Sequence, residues 1–349
     1  MILSLAIAGG FRQEIRRGIS SLAGDVVLTG SGSEPVSTDI SYLDKLSEVN
    51  GVRSITPVLW KPAIVKGPDD IAGVLVKGVP MADSLSLHAR VPVRLTRMLH
   101  LNQGDSFIAY FVDERVRARK FTVSEVYDAT VDSDEMLTVI VPLADLQRLS
   151  GWDAGQAGSL EVLLGDGASQ DDAALQMSVI AFAEHGPDED ILRATTARQR
   201  YPQLFDWLDL IDFNVLAIIV LMTIVAGFNM ISGLLILLFR HISTIGTLKS
   251  LGMGNRAIAG VFLRVAARIV AVGMLIGNAV ALLLCFIQDK THLIRLNPAN
   301  YFVSYVPVHL NVPLVVIVDL LAFGAIMLLL LVPTLFISKV DPAQTVKVK

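Results

Sequence analysis

Twenty-seven consecutive residues without a charge, FNVLAIIVLMTIVAGFNMISGLLILLF from Phe213 to Phe239, constrain this chain more than any other feature. At about 1.5 Å per residue, a helix of that length exceeds the roughly 30 Å hydrocarbon core of a bilayer. Helices buried in soluble cores rarely run so long uncharged, so the stretch reads as a membrane span. Two later runs follow the same rule. IVAVGMLIGNAVALLLCFI covers Ile269–Ile287, entered by a helix beginning near Ala257, and LLAFGAIMLLLLVPTLFIS covers Leu320–Ser338, with Val312–Asp319 as its first turns. A mean hydropathy of +0.58 is too high for an ordinary soluble protein of this size.

Charge divides the chain at the same place. Residues 212–349 hold ten Lys/Arg against four Asp/Glu, leaving nineteen against twenty-nine for residues 1–211. An acidic first part and a basic membrane part argue against nucleic-acid binding. The opening MILSLAIAGG is apolar but too short to span, and it lacks the basic flank of a secretory signal. It reads as the outer end of a first span whose beginning lies upstream of Met1. FRQEIRRGISSLAG continues it with helical spacing at Phe11, Ile15, Ile19 and Leu22.

From Asp25 to about Asp166 the pattern is strand-rich: DVVLTG, VRSITPVLW, AIVKG, IAGVLVKGV, GDSFIAYFV, RARKFTVSEVYDA, MLTVIVPL and GSLEVLLGD. Short amphipathic helices are expected around Ile40, Leu43 and Leu46 and over 169–184, and a helical turn or two over Leu143–Leu149. This is one mixed α+β domain of two subdomains. Basic residues set its side of the membrane. Arg240, Lys249, Arg256, Arg264 and Arg268 surround the loop after Phe239, whereas QDKTHLIRLNPANYFVSYVPVHLN has only Lys290 and Arg295. The first loop and the tail with Lys339, Lys347 and Lys349 are therefore cytoplasmic, and residues 11–212 face outside.

The expected plan is a four-span membrane α-helical protein with its first span truncated, plus an extracytoplasmic α+β domain. Its parts are the end of the first span at 1–16, the outer domain at 17–206 and the second span at 207–240. A cytoplasmic helix and loop follow at 241–256, then the third span at 257–288 and an outer loop at 289–311. The fourth span at 312–338 and a cytoplasmic tail at 339–349 close the chain.

Catalytic signatures are missing from the sequence: there is no GxxxxGK[ST], HExxH, GxSxG or CxxC. His88, His100, His185, His241, His292 and His309 have no ligand spacing, and Cys285 is the only cysteine. Asp319 is the one acid in an apolar helix, either a functional carboxylate or a side chain reaching the outer interface. Asn229, Ser232 and Asn278 read as bonds between helices, and Pro333 as a kink. Between the spans, Ile242, Ile245, Leu248 and Leu251 recur on one face of a short helix, which Gly252 ends. Such a helix either rests on lipid headgroups or docks a cytoplasmic partner.

MTIVAGFNMISGLLILLFRHISTIGTLKSLGMGNRAI resembles the second span and coupling helix of FtsX-like permeases, particularly the LolC/LolE lipoprotein-releasing branch. Ala226, Phe228, Asn229, Ile231 and Ser232 match its A-x-FN-I-S-type stretch. Ile245, Leu248, Lys249, Leu251 and Gly252 match its IAILRTLG-like segment, and Pro333, Pro342 and Ala343 its ending. Thr244 stands where an acidic residue is usual. The resemblance implies a MacB-like periplasmic core domain and a non-catalytic permease in the bacterial inner membrane, working as a homodimer or with a paired permease. It binds no cofactor itself, since ATP is held by a separate LolD-like ATPase.

By the same resemblance, Ile242, Thr244, Ile245, Leu248, Lys249, Leu251 and Gly252 couple the ATPase to the outer domain by mechanotransmission. An apolar cleft near Phe213, Leu216 and Val220 would take lipoprotein acyl chains from the membrane lipids and pass them to a periplasmic carrier. A MacB-like efflux or export permease, or an FtsX-like regulator of a cell-wall hydrolase, stands as the alternative. An outer domain of 190 residues is large for the simplest regulators.

Overall fold

The computed structural model describes all residues except 31, 33, 68, 69, 83, 84, 113, 114, 129–136, 166, 188, 298–300, 302 and 335–349. The expected tail, the last residues of the fourth span, Pro342 and Ala343 therefore lie outside the described residues. The chain forms two compact units. One comprises Gln13–Asp206 with Leu296–Tyr305; the other comprises Met1–Arg12, Trp207–Arg295 and the chain from Val306. The connection expected as one outer loop at 289–311 is thus divided. Leu296 N–H donates to the Ser304 carbonyl, folding its middle back on itself.

In the first unit the described strands are β1 (Val26–Thr29), β2 (Val36–Ser37), β3 (Val52–Lys66), β4 (Ile71–Val79), β5 (His88–Pro92) and β6 (Ser106–Val112). They continue with β7 (Val116–Tyr127), β8 (Thr138–Pro142), β9 (Gln156–Ala157), β10 (Ser159–Leu164) and β11 (Arg193–Thr196). Nine of them run in the order β11-β1-β10-β3-β4-β8-β5-β7-β6, and β3 pairs again with β6. That extra pairing closes six strands, β3-β4-β8-β5-β7-β6, into a small barrel. The other three, β11, β1 and β10, form an open sheet with β3, which the two parts share.

VRSITPVLW and AIVKG, expected as separate strands, are one 15-residue strand through both prolines. The physical reason is local. Residues 52–58 of β3 pair only β10, and Pro62 pairs only Leu75 of β4, one residue before β6 joins at Ala63. Each proline therefore sits where the strand has a single neighbour, and its missing donor costs no second ladder.

Two cores follow from this division. Val65, Val76, Val91, Phe107, Phe121 and Val141 fill the barrel, with α3 (Val93–Met98) adding Leu95, the residue after it Leu99, and α4 (Leu143–Ser150) Leu146. Val26, Leu28, Leu160 and Val162 of the open sheet pack against Leu46 of α2 (Leu43–Ser47) and Met177 of α5 (Gln170–Glu184). SFIAYFV in β6 alternates buried and exposed, the two-residue period of a strand with one face inward. Helix α5 departs from the amphipathic pattern expected of it. Ala173, Ala174, Met177 and Ala181 are buried, yet Leu175, Val179 and Phe182 lie exposed on the other side.

The second unit is helical. The first helix, α1 (Ile2–Ala23), begins here and ends in the first unit. Among the described residues, three helices are long and apolar enough to cross a membrane: α7 (Pro202–Arg240), α9 (Asn255–Thr291) and the segment Val312–Thr334, most of it α10 (Val312–Leu329). Their shared core is confined to one end, where Leu234, Leu238, Ile258, Ala266, Val270, Ile326 and Leu330 are buried. Between α7 and α9 lies α8 (Ile242–Ser250).

Candidate functional site

Helix α8 is short because its ends are specified. The backbone turns at His241, whose N–H is shared by the Leu237 and Leu238 carbonyls. At the other end Gly252 adopts φ +87, donating to the Lys249 carbonyl while Met253 donates to that of Leu248. These two bonds satisfy carbonyls that the helix end would otherwise orphan, and the left-handed backbone requires glycine.

The structure divides the apolar stripe of this helix. Ile245 is buried in the core of the helical unit, and Leu248 packs half-buried against that core. Ile242 and Lys249 are half-buried, while Thr244, Leu251 and Gly252 are exposed, Leu251 by 79%. The inward residues anchor α8 to its own unit. What it presents outward is an edge of small polar residues, Ser243, Thr244, Thr247 and Ser250, ending in Leu251.

Phe213, Leu216 and Val220 recur on one face of α7 and are 67%, 59% and 49% exposed. Two contacts hold α1 beside α7 just before this face. Phe11 meets Trp207 edge-on with ring centroids 5.8 Å apart, and Arg12 forms an ion pair with Asp212. That pair neutralises the Arg12 charge within the helical unit. Gly10 lies so close to Pro307 and Val308 that a Cβ there would overlap their backbone.

Deeper in the helices, the Asn278 carboxamide donates to Asp319 at 2.6 Å. Asp319 is thus bonded between α9 and α10, where reach to the interface was one expectation. Ser232 bonds within its own helix, to the Phe228 carbonyl, and Asn229 is exposed, so neither makes the interhelical bond expected of it. Among the described residues, no group of three or more His, Cys, Asp or Glu side chains could hold a metal ion.

Sequence reasoning missed a buried network in the first unit. Lys77 of β4 and Glu161 of β10 are both almost fully buried and paired at 2.6 Å. Trp60 Nε1–H donates to the other oxygen of Glu161 at 2.9 Å, and the Lys77 ammonium also donates to the Leu22 carbonyl. Burial pushes the Lys77 ammonium below its ordinary range, opposed by the Glu161 carboxylate.

Arg200 donates to the Ala23 carbonyl at 2.9 Å. The last-turn carbonyls of α1, acceptors with no partner inside the helix, are therefore capped by two buried-side cations. Gly24, at φ +70, ends α1 against Glu161. Arg200 closes α6 (Ala197–Arg200), which Thr196 and Gln199 open with a reciprocal capping box and which runs straight into α7 at Pro202. The Lys77–Glu161 pair thus ties β4, β10 and the end of α1, and Arg200 ties that same helix end to α6. The available signal was Lys77 itself, a lone charge within IAGVLVKGV.

Residues 216–342 match the model of the FtsX-like permease C-terminal domain. Over 99% of this chain and 90% of each relative, it is 22% identical to the lipoprotein-releasing system transmembrane proteins LolC of Xylella fastidiosa and Neisseria meningitidis serogroup B. Among solved structures, the periplasmic region of MacB from Actinobacillus actinomycetemcomitans aligns at 14% identity and a TM-score of 0.37, covering 54% of this chain and 94% of that one. The matched helices, the full-length LolC matches and three span-length helices beside an α/β unit fit a multi-pass inner-membrane protein with a periplasmic domain. The chain is thus similar to FtsX-like permeases over residues 216–342 and to LolC proteins over nearly its whole length.

Proposed function

We propose that this permease couples ATP hydrolysis by a separate ATPase to the release of lipoproteins from the inner membrane. The observation that carries the reading is the match to LolC along 99% of the chain, outer domain included. In this reading residues 17–206 form the periplasmic domain. Spans at 207–240, 257–288 and 312–338 cross the membrane with α8 on the cytoplasmic side, and the apolar half of α1 packs beside them as a fourth helix. The ATPase grips the outward edge of α8 at Thr244 and Leu251, while Ile245 and Leu248 fix that edge to the helical core.

Closure of the ATPase would then move α8 and α7 together, and α1 and α7, whose chains run from one unit into the other, would carry that motion towards the Lys77–Glu161 network. No covalent step falls to this chain. The exposed face of Phe213, Leu216 and Val220 shields acyl chains on their way out. Each CH₂ leaving the bilayer costs about 0.8 kcal/mol, so a chain of fourteen or more needs both a substitute apolar surface and external energy.

The test is reconstitution of the permease with its co-purified ATPase and an acylated lipoprotein in liposomes. ATP-dependent appearance of lipoprotein on a soluble acceptor supports the reading. ATP hydrolysis with lipoprotein retained in the bilayer contradicts it. Replacing Phe213 and Leu216 by Asp should abolish release while leaving ATPase binding intact.

A further inference from the structure

Arg256, Arg264 and Arg268 stand eight and four residues apart along α9, so one face of the helix carries all three. Gly260 occupies the remaining place in that four-residue ladder, where a Cβ would have only Arg264 within 4 Å. All three arginines are exposed, and among the described residues no carboxylate pairs with them. Arg264 and Arg268, one turn apart, repel each other unless an anion lies between them.

Their depth is set by the sequence that follows. The uncharged run Ile269–Ile287 would be roughly 28 Å long as a helix, matching the hydrocarbon core. Arg268 is then the first residue beyond the hydrocarbon, and Arg264 lies about 6 Å further out, in the headgroup layer. Directly below Arg268 on the same face stand Val272 and Leu275, at i+4 and i+7, exposed by 48% and 69%. Cations above an exposed aliphatic strip complement an amphiphile with an anionic head. Guanidinium groups suit phosphate oxygens because their planar forks can donate in pairs.

We infer that this face of α9 binds an anionic phospholipid of the membrane, with its phosphate between Arg264 and Arg268 and an acyl chain along Val272 and Leu275. The inference rests on the membrane topology proposed above, which places this end of α9 at the cytoplasmic leaflet. Its role is to hold α9 at fixed depth in the membrane. A soluble anion would satisfy the arginines without the aliphatic strip, and an acidic surface on the ATPase would satisfy them without lipid.

The experiment is native mass spectrometry of the full chain in detergent, titrated with phosphatidylglycerol or phosphatidylcholine. Wild type should retain phosphatidylglycerol preferentially, and Arg264→Gln/Arg268→Gln should bind it roughly thirtyfold more weakly, at about 1 kcal/mol per cation. Arg264→Lys/Arg268→Lys, which keeps both charges, should retain most of the binding. Equal phosphatidylglycerol retention by wild type and the Gln variant overturns the inference, whether or not ATPase capture falls. Displacement of the lipid by millimolar inorganic phosphate overturns it as well. Topology is read separately, by impermeant thiol labelling of Asn255→Cys in a Cys285→Ser background. Labelling from the outside would sink the topology itself, whereas protection from outside with equal lipid retention sinks only the lipid site.

Discussion

The first unit and the helical unit treat the same kinds of side chain in opposite ways. In the first, Lys77, Glu161 and Asp25 are buried and bonded. Asp25 alone accepts from Ser20, Gln170 and the Leu164 N–H. Among the described residues, no buried side-chain polar atom lacks a hydrogen-bond partner. In the second, Phe213, Leu275 and Leu328 point outward, and packing is concentrated at the α8 end. The difference teaches where each unit keeps its solvent. Water surrounds the first, whose interior holds a fully bonded network. Lipid surrounds the second, so exposure of leucine costs nothing and a bonded polar pair such as Asn278–Asp319 stays between helices.

The sharpest way to break this contrast is Lys77→Ala. It leaves Glu161 buried without its cation and should destabilise the first unit by about 3–5 kcal/mol, whereas Lys77→Met with Glu161→Leu should be near neutral. Thermal unfolding of the purified chain, followed by tryptophan fluorescence with Trp152 and Trp207 replaced by Phe so that Trp60 reports alone, separates the two. A small effect of Lys77→Ala would mean that water reaches the pair.

In the helical unit the comparable substitution is steric. Gly10→Val would force apart the backbone at Pro307 and Val308 and should cost about 1–3 kcal/mol. The loss should appear in the detergent-solubilised melting temperature, with Gly273→Val as the control because a Cβ there meets nothing within 4 Å.

Gly252→Ala follows at about 1 kcal/mol, because alanine pays for the left-handed backbone at φ +87. Chemical denaturation should show a loss of that size, and Gly252→Asn should lose less, because Asn tolerates the left-handed backbone better than alanine.

The smallest effect is electrostatic and belongs to the aqueous unit. Glu189 accepts from the Gly186 N–H, and from the Ser41 N–H and hydroxyl, and these bonds hold its carboxyl below the usual range. A depressed folded value means the contribution is fully present above about pH 4.5 and fades as pH falls through the lowered value. The stability difference between wild type and Glu189→Gln should therefore be flat from pH 5 to 7 and shrink in acid.

Much of this arrangement was legible in the sequence, for identifiable reasons. Uncharged runs marked the spans because hydrocarbon tolerates few charges. Two-residue alternation marked β6, and Gly252 marked the end of α8. The rest depended on partners distant in the chain. Nothing local announces that β3 passes from β10 to β4 without stopping at Pro57 or Pro62, or that β6 closes a barrel on it. Lys77 could be seen as a lone charge in a strand, but Glu161 lies 84 residues away. The stripe on α8 was visible as Ile242, Ile245, Leu248 and Leu251, yet periodicity cannot say which members face their own protein. Ile245 is interior, which leaves Leu251 as the apolar residue on the outward edge.

That distinction gives the most direct test of the coupling account. Leu251→Asp changes an exposed side chain beyond the last turn of α8, so it should alter stability by no more than about 0.5 kcal/mol. Leu248→Asp, by contrast, also places a charge against the helical core and should lower stability as well. The measurement is capture of the co-expressed ATPase on tagged permease from membranes, with ATP turnover of the captured complex. The account predicts that Leu251→Asp keeps the wild-type melting temperature and loses both ATPase capture and turnover. Capture and turnover equal to wild type in a folded Leu251→Asp chain would contradict it and return α8 to the lipid surface.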